Sequence, residues 1–448
     1  MAYPFGAIEK FTPLSVISSL NEVLENLTDN RSGNGVYQKY TMRDAAMSAF
    51  SGFFMQSGSF LAYQNVVSKE KGRNNAKNVL RVHRVPSDNQ TRNLLDGVFP
   101  SELNPCYRQG LNSLEQSGKL KAFHMLNASV LVALDGIEYF SSQKISCKHC
   151  SHKTLKTGKV QYSHSAITPA IVSPKQSKVI PLVPEFIRPQ DGHEKQDCEL
   201  TAAKRWINSE APYLPKNVTI LGDDLYCHHA FCEQLLEKGW HFILTSKANS
   251  HKTLYEHIEY LEKIGSVESL EKRRWTGKQH ITEYYRYVNH VPLRDSDDAL
   301  RVNWCELKIT DSKGKSLYHN TFATDYEINK NNIKEIVSAG RTRWKIENQN
   351  NNTLKTKGYN LKHNYGHGKQ HLSALLASLN ILAFLTHTIL EWFDTCYQLL
   401  RKHLSCRKTF FDDMRALMRY LRFDNWRHLI EFMLLSLGLP IPIYSLFF

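Results

Sequence analysis

The spacing of apolar and polar residues divides the chain into three stretches. Up to about residue 127, apolar positions recur at helical intervals between polar loops. From residue 128 the pattern changes to short apolar runs typical of β-strands. We therefore predict a helical region over 1–127, an α/β domain over 128–395 and a helical C-terminal region over 396–448.

The middle stretch contains five strand-like runs. They are ASVLVALD (128–135), VQYSHSAITPAIV (160–172), KVIPLV (178–183), NVTILGDD (217–224) and HFILTSK (241–247). Helical patterns precede and follow the fourth run, which gives the order β-β-β-α-β-α-β with a further helix later. Between about residues 248 and 328, alternating segments predict an antiparallel, β-rich insertion.

Two apolar stretches are long enough to be mistaken for membrane spans. The first, at 372–393, contains Asn380 and His387, and the second, LIEFMLLSLGLPIPIYSLFF at the C-terminus, is broken by two prolines. We predict a buried core helix and a packed tail, and expect no membrane partner.

The charge of the chain favours a polyanionic partner. Lysine and arginine number 57 against 43 acidic residues, a formal charge of +14. DNA is the first candidate, and a solvated basic surface is the alternative. The nine cysteines are odd in number and mostly scattered, and the N-terminus has no signal pattern, so we expect a cytoplasmic protein, associated with the bacterial nucleoid when bound to DNA.

The segment KGRNNAKNVLRVHRVPSDNQTRNLLDGVFPSEL joins two short helical patterns through a turn. Ser87 and Gln90 fit a capping box for the second helix. Arg81, Arg84 and Arg92 contribute to its basic character, and we predict DNA contacts for them in a unit that resembles a helix-turn-helix. The alternative is a helical bundle with an ordinary charged face.

Carboxylates stand at the ends of two apolar runs. Asp135 ends VLVALD, and Asp223, followed by Asp224, ends VTILGDD. On adjacent strands, Asp135 and Asp223 would repel each other unless a divalent cation lay between them. Each alone could equally cap a following turn. Glu347 lies four residues after Arg343, a spacing that suits an ion pair that orients the carboxylate, or a plain surface salt bridge.

Asp135, Asp223 in GDDLY and Glu347 in RTRWKIE together resemble the catalytic triad of DDE transposases of bacterial insertion sequences. The resemblance implies an RNase H-like core, that is, a mixed sheet with flanking helices. It also implies two Mg²⁺ ions held by the triad, with Mn²⁺ able to substitute. A transposase of this kind cleaves DNA at its terminal inverted repeats and joins the ends to target DNA, which implies a homodimer on DNA.

One branch of this family carries a β-rich insertion and the signature Tyr, two residues, Arg, three residues, Glu, six residues, Lys. Arg343 and Glu347 match it in place. Gly340 occupies the tyrosine position, and Leu354 occupies the lysine position, with Lys355 one step later.

Other roles follow from the same resemblance. Asp224 is expected to support the site, and Lys345, Lys355 and Lys357 to contact the DNA backbone. The asparagines after Glu347 are expected to face DNA. A nuclease with the same core but no strand transfer, and an inactive DNA-binding regulator, are the alternative functions.

The motif SCKHCSHK offers Cys147 and Cys150 at a spacing that suits zinc. No second Cys-x-x-Cys pair follows, so His164 or Cys198 would have to join from a distance. We therefore do not expect zinc, and interpret the motif as a polar loop with reduced thiols, with a structural zinc site as the alternative.

Three further features have weaker interpretations. The acids of PQDGHEKQDCEL, which include Glu199, are interpreted as helix-start acids or as groups that position a DNA end. His228 and His229 suit core packing or a phosphate contact better than metal binding. Trp275 in EKRRWTGKQH could stack on an unpaired base, but surface packing is the default.

Overall fold

A computed structural model describes residues 20–31, 39–189 and 195–442, with side chains of the helix that begins at Lys195 described from Cys198. The α-helices, after a short helical stretch at 20–25, are Met42–Phe54 (α1), Phe60–Val67 (α2), Glu70–Asn78 (α3), Asp88–Leu95 (α4), Asn104–Gln116 (α5), Lys195–Glu210 (α6), His229–Glu237 (α7), Lys252–Lys263 (α8), Ile333–Arg341 (α9), Asn352–Thr356 (α10), Leu372–Phe393 (α11), Thr395–His403 (α12), Arg407–Tyr420 (α13) and Trp426–Ser436 (α14). A π-helical segment, Ile346–Asn351, leads directly into α10.

The strands are His124–Met125 (β1), Ser129–Ala133 (β2), Gly136–Ser142 (β3), Ser151–Thr154 (β4), Val160–Ile167 (β5), Ala170–Val172 (β6), Ile180–Pro181 (β7), Glu185–Phe186 (β8), Val218–Gly222 (β9), His241–Thr245 (β10), Glu268–Trp275 (β11), His280–Pro292 (β12), Arg301–Asp311 (β13) and Ser316–Thr324 (β14). Most belong to one large sheet of order β11-β12-β13-β14-β10-β9-β2-β6-β7, with β1 beside β2. β2, β9 and β10 run parallel, and the other pairs are antiparallel. The predicted α/β fold with a mixed sheet is confirmed.

The four long strands β11–β14 come from the segment predicted as an insertion. They extend the large sheet, because β14 pairs with β10. β2 and β9, at the centre of the sheet, are buried at every residue and apolar except for Ser129 and Thr219, whose hydroxyls bond to each other. That pattern is expected of strands that are covered on both faces.

A second, small sheet has the order β3-β5-β4, with β8 beside β5. The strands predicted for this part of the chain differ from those observed. The run 160–172 is two strands in two sheets, because the chain leaves β5 at Thr168 and Pro169 before it enters β6. Strands β3 and β4 were not predicted. A proline has no N–H for a strand ladder, so it commonly marks the point where a strand ends.

Helix α11 is the core of the helical part. It is long and apolar enough to cross a membrane, with a mean hydropathy of 1.7, but 89% of its most apolar window is buried inside the protein. The Tyr107 hydroxyl of α5 donates to the carbonyl of Ser378 in α11 at 2.6 Å. Arg415 of α13 donates to the carbonyl of Gln56, just after α1, at 2.9 Å. N- and C-terminal helices therefore pack into one bundle around α11, as predicted for a buried core helix.

The two helices predicted as a DNA-binding unit are α3 and α4. Ser87 Oγ accepts a hydrogen bond from the N–H of Gln90 at 3.3 Å, as a cap of α4 should. Asn75 of α3 is buried and donates to the carbonyls of Met418 and Leu421. One face of α3 is therefore covered by the C-terminal helices. The final residues, 443–448, lie outside the described residues.

Candidate active site

Two aspartates lie side by side at one edge of the large sheet. β2 and β9 pair in parallel, with Ala133 opposite Leu221, and the N–H of Leu134 donates to the carbonyl of Leu221 at 2.9 Å. Asp223 directly follows β9, and Asp135 follows β2 by two residues. Because both strands run the same way, their carboxyl ends deliver the two side chains to the same edge.

The segment that carries Glu347 is bound to this edge through an asparagine. Asn351 Nδ2 donates to Asp135 Oδ2 at 2.7 Å, and Asn351 Oδ1 accepts from the hydroxyl of Thr168 at 2.7 Å. Asn350 and Asn351 are both buried. The expectation that these asparagines face DNA is therefore wrong for these two, because Asn351 holds the glutamate segment to Asp135 and Asn350 donates to Asn351 Oδ1.

The acids at this edge of the sheet interact electrostatically. The pKa of Asp135 is raised from 3.8 to about 6, chiefly by burial and then by the charge of Glu347. Arg343 lowers the pKa, whereas Glu199 and Asp223 raise it further. Like charges gathered in a partly buried site favour either a shared proton or a cation.

Glu347 itself is half exposed, at 50%, and its Oε1 lies 2.8 Å from Arg343 Nη2. The predicted pair is thus present, with Arg343 the more buried partner at 23% exposure. The backbone around Glu347 is π-helical, and its carbonyl accepts from the N–H of Asn352, five residues later. Such π-helical turns add one residue to a helical turn and are frequent at functional sites.

Gly340, which occupies the signature's tyrosine position, has no room for a side chain. A Cβ atom there would lie 2.9 Å from Ile243 Cγ2 and 2.9 Å from the ring of Phe322. Helix α9 thus packs directly on β10 and β14 at this point. The absence of a tyrosine follows from this close approach.

Glu199 is a fourth carboxylate that the sequence interpretation did not place in the site. It is only 5% exposed, and its carboxyl group lies 2.6 Å from where a Cβ on Gly136 would be. With Asp135 and Asp223, Glu199 raises the pKa of the buried Tyr226 hydroxyl, although burial is the largest cause. One signal was present in the sequence: Glu199 shares the apolar face of α6 with Ala203 and Trp206 at helical spacing.

Asp224 serves the turn after β10. Its Oδ1 accepts from the N–H of Lys247 at 2.6 Å and lies 3.3 Å from His251 Nε2, and Ser250 also donates to its carboxylate. Burial acts to raise the pKa of Asp224, but the hydrogen bonds outweigh it and the pKa is lowered. Any support that Asp224 gives to the site is therefore structural, because its hydrogen bonds fix the chain next to Asp223.

The predicted DNA-contacting cations differ in their surroundings. Arg81, Arg84 and Lys357 are exposed, and Lys355 is half-buried. Arg92 is half-buried and is bonded within the protein, since its Nε donates to the carbonyl of Tyr365 at 2.7 Å and its Nη2 lies 2.9 Å from Asp88.

The prediction that Lys345 contacts the DNA backbone is wrong. The residue is 8% exposed, and its Nζ donates to the carbonyls of Ser173, at 2.6 Å, and Gln176. Burial lowers the pKa of Lys345. A lysine whose ammonium group is used to satisfy buried carbonyls cannot reach a phosphate, so we remove it from the DNA-contacting set.

The remaining candidates have surroundings of their own. His229 accepts from the N–H of Leu300 at 3.1 Å and pairs with Glu233, so it is a packing residue. Trp275 is 56% exposed at the end of β11. Cys147 and Cys150 lie with His164 and with His367, which the sequence interpretation missed. The four side chains that a tetrahedral metal site needs are therefore close together, and two of them are histidines from other segments, of which the sequence analysis named His164.

The fold and the acids at this edge of the sheet define an α/β protein with a cluster of carboxylates at the carboxyl ends of its parallel strands. Residues 190–385 match the family model described as the transposase DDE domain. This match confirms the resemblance to DDE transposases that the sequence predicted. The match includes Asp223 and Glu347 and begins after Asp135. No curated protein sequence matches the chain.

Proposed function

We propose that the protein is a DNA transposase that cuts its element at the terminal inverted repeats and joins the ends to target DNA, with Asp135, Asp223 and Glu347 as the catalytic triad. One observation carries the proposal. Two aspartates end adjacent parallel strands, and the charge of a helical glutamate raises the pKa of one of them, in a chain that matches the transposase DDE domain over residues 190–385.

The strand order supports an RNase H-like core. The antiparallel strands β7, β6 and β2 are followed by the parallel strands β9 and β10. Helix α6 connects the first group to β9, and α7 connects β9 to β10. We propose residues 128–395 as the catalytic domain, with the insertion at about 248–328 continuing its sheet.

The donor set fits divalent metal ions. Asp135, Asp223 and Glu347 offer hard carboxylate oxygens, which suit Mg²⁺ and, as a substitute, Mn²⁺. Burial first, and then the charge of Glu347, raises the pKa of Asp135, and a bound cation would favour the ionised carboxylate there. When bound, two such ions would activate the attacking oxygen and stabilise the leaving oxygen of a phosphodiester. Glu199 lies close enough to the same edge to add to its negative field.

The other residues of this edge position the triad. Arg343 holds Glu347 through their ion pair, and Asn351 holds Asp135. The π-helical turn also supports a role for Lys355. One extra residue in the turn places position 355 where position 354 would stand in a regular α-helix, so the shifted lysine regains the register of the signature.

DNA is the proposed partner, and the protein would act on it in the cytoplasm. The exposed Arg81 and Arg84 next to α3, and Lys357 after α10, are proposed phosphate contacts. We propose 1–127 as the region that binds element ends and 396–448 as a C-terminal region whose described helices brace it. Two ends must be cut and joined, so a homodimer on DNA is proposed.

The test uses purified protein, Mg²⁺ and DNA that carries the element's own ends. Joined products support a transposase, cleavage without joining means a nuclease, and DNA binding alone means a regulator. Asp135→Asn, Asp223→Asn and Glu347→Gln should each lower cleavage by at least about a thousandfold, because each removes a ligand of the reacting centre. The exposed Glu259→Gln on α8 is the matched control and should cleave normally. Full cleavage by any of the three triad variants would overturn the assignment.

A further inference from the structure

A second polar cluster, with no residue in common with the acidic edge, lies where the small sheet meets the loop before α11. Cys147 and Cys150 precede β4, His164 belongs to β5, and His367 lies in the loop that leads to α11. One ligand atom from each residue lies within 4.8 Å of those of the other three. Three of the four side chains are buried, and Cys147 is half-buried.

The distances match those between the corners of a metal tetrahedron. The two Sγ atoms are 3.9 Å apart, and the two Nε2 atoms are 3.1 Å apart. Sulfur to nitrogen distances are 3.5 Å for Cys147 to His164, and 3.4 Å for Cys150 to either histidine. Zinc bonded to sulfur at about 2.3 Å and to nitrogen at about 2.05 Å requires about 3.8, 3.3 and 3.6 Å for the S–S, N–N and S–N pairs.

The groups around the cluster orient its ligands. His367 Nδ1 lies 3.1 Å from the carbonyl of Gly368, which can only accept, so Nδ1 carries the hydrogen and Nε2 keeps its lone pair for a metal. The N–H groups of Cys147 and His149 each lie 3.4 Å from a cysteine sulfur. Such N–H donors stabilise thiolates. The ring of Phe140 packs 4.5 Å from that of His367.

We propose that Cys147, Cys150, His164 and His367 bind one zinc ion in a closed, structural site. Two thiolates and two imidazoles form a complete tetrahedral set, which leaves no position for a substrate or a reactive water. A disulfide would need the two sulfurs about 2 Å apart, so the observed separation suits a shared metal better. This proposal does not depend on the proposed function, because the acidic edge has its own ligands.

The site would fix the loop that follows the glutamate segment. On one side of this loop, Asp96 accepts from the N–H groups of Lys369 and Leu372. On the other side, zinc would bind His367 to the small sheet, whose strand β3 begins one residue after Asp135. Cys150 and His367 are 217 residues apart in sequence, so the ion would join the two halves of the catalytic domain.

The first experiment measures metal in the whole protein purified from zinc-supplemented cells. About one zinc per chain is expected by elemental analysis. Cys150→Ser and His367→Ala should each lower the zinc content about tenfold or more. The matched controls are Cys406→Ser and His152→Ala, both exposed, which should keep it. Asp135→Asn should keep it too, which separates this site from the acidic edge.

A second measurement works even if the variants fail to fold. Zinc in the wild-type chain is exchanged for Co²⁺, whose absorption reports tetrahedral geometry and thiolate bonds. The expected spectrum is tetrahedral with two thiolates, and the protein should melt at a lower temperature after chelation. A wild-type protein without zinc, a Co²⁺ spectrum without thiolate bonds, or full zinc retention in both ligand variants would each overturn the proposal.

Discussion

The raised pKa of Asp135 predicts that the acidic edge destabilises the protein when no metal is bound. Folding moves this pKa from 3.8 to about 6, and each pH unit of difference corresponds to about 1.4 kcal/mol. Above pH 6 the ionised side chain therefore lowers the free energy of unfolding by at most about 3 kcal/mol. Asp135→Asn removes the charge, and its amide oxygen can still accept from Asn351.

The sign of the pH dependence follows from the direction of the shift. Below pH 3.8 the carboxyl of Asp135 is protonated in the folded and unfolded states and has no effect. Between pH 3.8 and about 6 the folded state holds the proton more tightly, so stability falls as the pH rises. The advantage of Asp135→Asn should thus be largest at neutral pH and shrink steadily towards pH 4.

The assay is thermal unfolding with a chelator, compared between pH 7.5 and pH 4.5. For an entropy of unfolding typical of a chain of 448 residues, 3 kcal/mol corresponds to about 3 °C in melting temperature. Mg²⁺ should stabilise the wild type and not the variant, because only the wild type has the full ligand set. The exposed Asp297→Asn is the matched control. The reasoning would be refuted if Asp135→Asn melted no higher than the wild type at pH 7.5. It would also be refuted if the difference in melting temperature between the two proteins were the same at both pH values.

Three further predictions concern residues around this edge. Lys345→Met should lower the free energy of unfolding by about 2–3 kcal/mol, because two buried carbonyls lose their donor, and should leave the salt dependence of DNA affinity unchanged. Lys357→Met should lower the slope of log affinity against log salt by about 1 and leave the stability unchanged. An equal fall in the salt slope of both variants would contradict the assignment of Lys345 to the interior and of Lys357 to a phosphate. Gly340→Ala should cost about 1–3 kcal/mol in denaturant unfolding because its Cβ would lie 2.9 Å from its neighbours, and an unchanged midpoint would contradict this close packing. Asn351→Ala should weaken Mg²⁺ binding about tenfold in calorimetric titrations, since Asp135 loses its donor; unchanged affinity would show that this hydrogen bond does not position the carboxylate.

Local sequence patterns predicted the parts of the site that depend on one segment at a time. Two apolar runs that end in aspartate predicted Asp135 and Asp223 at strand ends, and both strands are buried throughout. A spacing of four residues predicted the ion pair of Arg343 and Glu347. Strand ends and helical spacing are set by backbone geometry, so they are visible in a short window of sequence.

Residues whose role depends on a distant partner were predicted less well. Lys345 was expected on the surface and satisfies buried carbonyls. Asn351 was expected to face DNA and holds Asp135, 216 residues away in sequence. His367 was not considered as a ligand for Cys150, and Glu199 was interpreted from its own helix alone. Glu199 left one local signal, its place on the apolar face of α6, but for Lys345, Asn351 and His367 no local pattern distinguished an exposed side chain from one that meets a partner across the fold.

The sequence by itself therefore predicted most classes of element and the buried strands, because these follow from periodicity and residue type, and it predicted the three acids through a family resemblance. The tertiary structure decided which segments meet: the parallel pairing of β2 and β9, the asparagine that joins the glutamate segment to Asp135, and the four-residue cluster between the small sheet and the loop before α11. The physical reason is that burial of a polar group is favourable only when a partner is present. That partner is supplied by long-range packing, which a local window of sequence does not contain.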